Sequence, residues 1–363
     1  MNKKIVAQNT EVVIGVDVHT TSHVVTAKTG KEFVDQRRIG PDRRAWSCYL
    51  EKFPGCNISA VYESGPHGYN LYDMLREMDG TNGQRIEAYV APAANVPKAP
   101  GKKNKKTDRR DSKDLVWAYE SGSFEPVVVP DEVCRAEREL LRTKESLAGD
   151  ITMLKNRIHG RLKNHGIDYP EEKLFCDGWQ GEVLKRAKTL QDPTREIHAV
   201  LKLWFKMLKQ TEEALAAVKK RIKRLYAKGS RSETARKIKE NVPGIGVESA
   251  MVIATEVADF TAFRNSDAFA SYTGLVAGAH NSGDTERSGP ITKEGNQRLR
   301  HVFIECAWTH IRYDDDAARR YAELKNRRGA RRAIVAIARR LAVKVYHLVV
   351  HGGAPDQVRP ASM

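Results

Sequence analysis

No stretch of the sequence approaches the roughly 18 consecutive apolar residues needed to span a bilayer, which excludes a helical membrane protein. Met1 to Thr10 is polar and lacks the apolar stretch of a secretory signal, so a cytoplasmic protein is expected. Cysteine is scarce. Cys48, Cys56, Cys134, Cys176 and Cys306 are odd in number, scattered and without a CxxC pair, which argues against a disulfide framework or a zinc site and for reduced thiols. Acidic residues are in deficit, since 62 Lys and Arg face 46 Asp and Glu and leave a net charge of +16. Such a surplus points to a polyanion, because each phosphate neutralised by Lys or Arg releases condensed counterions. Nucleic acid is the first expected partner; no amphipathic anchor or lipidation signal favours an acidic membrane.

What the chain does have is enough apolar material to fold. Its 363 residues are 40% hydrophobic, too apolar for a mainly disordered protein and long enough for about two or three domains. Up to residue 120, strand and helix signals alternate. Val12 to Val18, His23 to Ala27, a short run near Phe33, Ile58 to Glu63 and Ile86 to Val90 read as strands, and helical spacing appears around residues 43–52 and at Leu71, Met74 and Leu75. This order predicts a mixed sheet flanked by helices. Pro92 to Lys106 interrupts it with Lys102, Lys103, Lys105 and Lys106, read as a loop that orders on nucleic acid, and helix resumes at Thr107.

The middle of the chain is different. Leu140, Leu147, Ile151, Leu154 and Ile158, then Trp204, Leu208, Leu215, Val218, Ile222 and Leu225, keep a three-four rhythm that predicts two long helices, either a coiled-coil arm or an ordinary bundle. Domains are therefore placed at 1–125, 126–235 and 236–363. The last is expected to be mainly helical, with a Gly-rich section at 274–295 and a basic C-terminal helix whose buried face carries Ile334, Ile337, Leu341 and Val345. Pro243-Gly244-Ile245-Gly246 reads as a helix-hairpin-helix turn whose amides around Gly244 and Gly246 approach a phosphate, or as a plain interhelical turn.

Four carboxylates stand out. Asp17 ends an otherwise apolar strand, Glu63 ends another, and Asp108 and Asp111 are three apart at a helix start, a spacing that puts both on one face. Converging carboxylates repel unless a hard divalent cation relieves them, so Mg2+ or Mn2+ is the expected cofactor. Each has a plainer reading as a turn former or as an ion-pair partner of Arg109 or Arg110, and Asp114 competes with Asp111 as a ligand. His19, His23 and His67 are assigned to packing or phosphate contact.

The segments GVDVH at 15–19, YESGPHGY at 62–69 and KTDRRDSKDL at 106–115 resemble the DEDD transposases of the insertion-sequence-110 family. The likeness continues in NVPGIGVESA at 241–250, FASYTGLVAGAHNSG at 269–283 and GPITKEGNQRLR at 289–300. The resemblance implies an α/β RNase H-like (RuvC-like) first domain with Asp17, Glu63, Asp108 and Asp111 as metal ligands, a helical arm, and an all-α C-terminal domain. It further implies a prokaryotic, nucleoid-associated recombinase guided by a structured non-coding RNA that pairs with donor and target double-stranded DNA. The helical arm, for its part, suggests catalytic halves from different protomers, in a dimer that assembles to a tetramer. The serine the family supplies matches Ser282, with Ser288 its nearest rival. Lys293, Asn296, Arg298 and Arg300, with Arg109 and Arg110, are expected nucleic-acid contacts. Two alternatives remain at this stage: a metal-dependent junction-resolving nuclease in which Ser282 is structural, and a non-enzymatic repressor.

Overall fold

The computed structural model describes residues 6–65, 67–92, 108–167, 175–176, 178–190, 195–282, 285–291 and 295–352, with backbone alone for 277–282 and 285–290. The chain divides into two compact units, Met1–Val129 and Pro130–Met363. No described helix is long and apolar enough to cross a membrane.

The first unit is a five-stranded mixed sheet with helices on both faces. The strands are β1 (Glu11–Val18), β2 (His23–Thr29), β3 (Glu32–Ile39), β4 (Asn57–Glu63) and β5 (Arg85–Ala91); the helices are α1 (Arg43–Leu50), α2 (Asn70–Glu77) and α3 (Asp108–Glu120). Their order across the sheet is β3-β2-β1-β4-β5. β1, β2 and β3 are antiparallel neighbours, whereas β4 lies parallel to both β1 and β5. Alternation along β1 sorts its side chains between two cores. Val12, Ile14 and Val16 pack with Trp46, Leu50, Leu71 and Leu75 from α1 and α2. Val13 faces the other way and joins Val61, Ala91 and Leu115 of α3.

Gly15 sets how closely α3 sits on the sheet. A Cβ at this position would lie 2.0 Å from the Ser112 carbonyl oxygen, so only glycine lets helix and strand backbones touch. Polar contacts then fix the first turn of α3. Thr26 Oγ1 and Ser112 Oγ share a 2.7 Å hydrogen bond, and Gln36 Nε2 donates to Thr26 Oγ1 at 2.8 Å and to the Arg109 carbonyl at 2.7 Å. Gly15→Ala is therefore expected to destabilise this unit by about 1–3 kcal/mol through overpacking. The readout is the urea midpoint, and an unchanged midpoint would mean that α3 does not bear on β1 here.

The second unit begins with α4 (Glu132–Asn164), α5 (Trp179–Lys188) and α6 (Glu196–Lys228). α4 and α6 run antiparallel, since Glu137 meets Ser230 at one end and Lys155 meets Glu212 farther along. Ile158, Leu162, Val183, Leu201 and Phe205 form one core there, with Trp179 of α5 edge-on to Phe205. The three-four rhythm foretold the two long helices but not α5. At the other end Leu141 and Ile222 belong to a second core, shared with α7 (Ser232–Asn241), α8 (Val247–Val257), α9 (Ser266–Tyr272), α10 (Gln297–His310) and α12 (Ala330–His351). α11 (Asp315–Arg328) precedes α12, and Ile334, Ile337, Leu341 and Val345 are buried as the sequence predicts.

The Gly-rich section expected at 274–295 contains a two-stranded antiparallel hairpin, β6 (Ala277–Ser282) and β7 (Thr285–Ile291). Its polar, glycine-spaced residues lack the period-two apolar pattern that marks a half-buried strand. After it, the chain is pinned. Gly295 has φ +90° and a Cβ there would lie 2.5 Å from the Tyr272 carbonyl oxygen, which accepts the Asn296 amide at 2.7 Å. Asn296 Oδ1 caps α10, and its Nδ2 donates to Glu256 at 3.1 Å. Glu256 is only 3% exposed and is held bidentately by Arg142, at 2.9 and 3.1 Å, with Arg138 at 3.8 Å. Burial alone raises the Glu256 carboxyl, but the Arg142 and Arg138 guanidinium groups and Asn296 outweigh it and hold it below the usual range.

Candidate metal centre

Sheet register puts two of the acids at adjacent strand ends. Val16 of β1 pairs with Tyr62 of β4, so Asp17 and Glu63 are the next residues on two parallel neighbours. Two steps along β1 from Gly15, Asp17 lies on the α3 side, and Asp108 and Asp111 occupy the first turn of α3. Asp17, His19 and Asp108 each offer a ligand atom, all within 4.8 Å of one another. His19 Nε2 lies 3.2 Å from Asp17 Oδ2 and 3.5 Å from Asp108 Oδ2. Arg38 Nη2 donates to the same Asp108 oxygen at 2.8 Å.

Electrostatics agree with the geometry. The Asp17 carboxyl is raised from its ordinary value, first by burial; His19 pulls it down, and the nearby Asp108 and Asp111 carboxylates push it up again. A partly buried acid that two other acids make harder to ionise fits a hard cation with oxygen ligands. Asp111 thus acts on Asp17, whereas the buried Asp114 faces Arg110 at 4.0 Å. Glu63 is exposed at the end of β4 and is not among the residues whose ligand atoms gather at Asp17, His19 and Asp108.

Not every expected residue gathers here. Lys102, Lys103, Lys105, Lys106 and Lys293 lie outside the described residues. Arg109 is exposed on α3, and its neighbour Arg110 is turned toward Asp114. In the second unit, the backbone of Ser282 pairs with Thr285 at the tip of the hairpin, and Ser288 pairs with Ala279 within it. Gly244 has φ +89° and a Cβ there would lie 2.6 Å from the His310 amide nitrogen, so this glycine is committed to packing against α10. Pro243 accepts a 2.7 Å hydrogen bond from His310 Nδ1. At Gly246 a Cβ would meet nothing within 4 Å, and α8 starts there without a side-chain cap. Asn296 is occupied by Glu256 and the α10 cap, Arg298 pairs with Glu145 at 3.1 Å, and Arg300 is half-buried.

Sequence reasoning assigned His19 to packing or phosphate contact and passed over Arg38 altogether. His23 does pack: it is buried and accepts a 2.9 Å hydrogen bond from Trp46 Nε1. His19 instead reaches the acids from the residue just past the end of β1. Arg38 sits in a polar strand 70 residues from Asp108, so no local pattern announced it.

Comparison with known proteins draws these features together. A DEDD transposase model of insertion sequence 110 matches residues 14–167, and the model described as the transposase IS116/IS110/IS902 family matches residues 237–323. The protein y4qE of Sinorhizobium fredii is 27% identical over 319 residues, 84% of this chain and 73% of that one. The transposase for insertion sequence element IS1111A of Coxiella burnetii is 27% identical over 255 residues, 69% of this chain and 68% of its own. The transposase for insertion sequence element IS1328 of Yersinia enterocolitica is 24% identical over 230 residues, 62% of this chain and 65% of its own. The first match spans the sheet and its acids, the second the hairpin that carries Ser282. The chain belongs to the insertion-sequence-110 family of DEDD transposases, enzymes that cut and transfer DNA.

Proposed function

We propose that this transposase excises and inserts its element by RNA-guided, site-specific recombination, with divalent Mg2+ or Mn2+ at Asp17, Glu63, Asp108 and Asp111 and Ser282 as the nucleophile. The observation that carries the metal half is the meeting of Asp17 and Asp108, with Asp111 near enough to raise Asp17. A sheet of order β3-β2-β1-β4-β5, antiparallel on one side of β1 and parallel on the other, supports an RNase H-like fold for residues 1–125. Residues 126–235 then act as the coiled-coil arm and 236–363 as the serine-bearing domain.

Bound ions would supply Lewis-acid stabilisation to the phosphodiester oxygens. The protein's own residues do the rest. As the Ser282 hydroxyl bonds to phosphorus, the bond from phosphorus to a deoxyribose oxygen breaks and a sugar hydroxyl is freed. A hydroxyl of another strand then attacks the serine ester, joins the DNA and releases the serine, so the bond energy is kept without ATP. The hairpin-tip position of Ser282 supports this role. A nuclease that cuts junctions without an ester is the second reading, favoured by the confinement of all four acids to the first unit.

Assembly through the arm is supported by α6, where Val200, Leu203 and Met207 are 37%, 61% and 47% exposed at three- and four-residue spacing. The guide is supported by the net charge of +16, more than metal chemistry needs. Sequencing the RNA that co-purifies with the full chain tests it. A single structured species encoded beside the gene is expected, enriched far above ribosomal and transfer RNA; recovery of bulk RNA alone would remove the guide from the reading.

A further inference from the structure

Arg38 lies outside the short motifs quoted above, though within the stretch that the DEDD transposase model matches, and it reaches the acid cluster. Its Nη2 donates to Asp108 Oδ2 at 2.8 Å, and its Nη1 donates to Ser22 Oγ at 2.9 Å. The same Asp108 oxygen has His19 Nε2 at 3.5 Å. A hard cation that takes Asp108 through this oxygen draws on the negative charge that holds the guanidinium and so weakens the pair. Apart from the Ser22 hydrogen bond, which does not depend on Asp108, little holds Arg38 against such competition. Its side chain is 59% exposed and that of Asp108 is 42% exposed, the setting in which an ion pair adds little to stability.

Divalent charge beside the guanidinium would also repel it, while an incoming phosphodiester offers the anion that its forked donors fit. We propose that Arg38 changes partners: it holds Asp108 in the metal-free protein and a non-bridging phosphate oxygen of DNA once a divalent ion occupies the acids. This rests on the metal-centre reading above. Arg38 thereby couples ion entry to DNA docking, because the cation that fills the site also frees a phosphate contact.

The test uses the full chain with Arg38→Gln and Arg38→Lys. In calorimetric titration with Mn2+ and no DNA, Arg38→Gln is expected to bind the ion about two- to fivefold more tightly, the worth of one exposed pair removed. Affinity for a random-sequence duplex is then measured across a salt series, with Ca2+ replacing the catalytic ion. The slope of log affinity against log salt should fall by about 0.9 in Arg38→Gln, the loss of one phosphate contact, and stay at the wild-type value in Arg38→Lys. An unchanged Mn2+ affinity, an unchanged slope, or weaker Mn2+ binding by Arg38→Gln overturns the exchange, the last by making Arg38 a support for Asp108. If wild-type protein takes up no Mn2+, or Asp108→Asn takes it up equally well, the metal centre itself falls and the exchange with it. That result is distinct from normal uptake with an indifferent Arg38.

Discussion

Asp17→Asn is expected to lower DNA strand cleavage at least about a thousandfold while leaving the fold intact. Loss of one carboxylate ligand removes several kcal/mol of transition-state stabilisation, and each 1.36 kcal/mol is about tenfold in rate. The substitution keeps the shape of the side chain, so packing on β1 and α3 should survive. Stability provides an internal control with a definite sign. The folded-state pKa of Asp17 lies above its unfolded value of 3.8, chiefly through burial, with Asp108 and Asp111 adding to it. Its contribution to metal-free stability is therefore fully present below that value and is lost as pH rises through the folded pKa. Near neutral pH the metal-free Asp17→Asn protein should be at least as stable as wild type, and adding Mn2+ should stabilise wild type more. Cleavage within a few-fold of wild type would take Asp17 out of the chemistry.

The second large effect is expected from Ser282→Ala. Wild type incubated with end-labelled DNA should yield a protein-DNA adduct that survives denaturing electrophoresis, and the variant should give none. Recombinant joints should fall by at least about 10^4-fold, as for other enzymes stripped of their nucleophile, with duplex binding in Ca2+ unchanged. Ser288→Ala, altered within β7 instead of at the hairpin tip, should still form the adduct. Two results would redirect the mechanism. Wild-type levels of joints would place the nucleophile elsewhere, and persistent cutting without any adduct would favour the junction-resolving nuclease.

Strand and helix patterns made much of the first unit legible. An acid ending an apolar strand is costly without a partner, so Asp17, which is partly buried, could be singled out before its neighbours were known; Glu63 ends its strand exposed and bears no such cost. Asp108 and Asp111 followed from helix-start chemistry, and the five strands fell close to their predicted places. What escaped was contact between distant, individually ordinary residues. Gly15 could be read only as a permissive residue, because the Ser112 carbonyl that demands it comes from another element. Asn296 lies among Lys and Arg, and nothing local announces that Glu256, 40 residues away, accepts from its side-chain amide. The β6–β7 hairpin was missed since its strands lack an apolar face for alternation to reveal.

The bidentate pairing of Arg142 with Glu256 bears on how this enzyme can be re-engineered. A chimera that exchanges residues 126–235 with those of a relative would import a foreign α4 while keeping the native acid in α8. Unless the donor supplies arginines at positions 138 and 142, the graft strands a desolvated anion beneath the segment that follows the hairpin, a loss of about 3–5 kcal/mol for a broken buried pair. Successful modular swaps should therefore carry the first half of α4 and the α8–α10 scaffold as a single cassette.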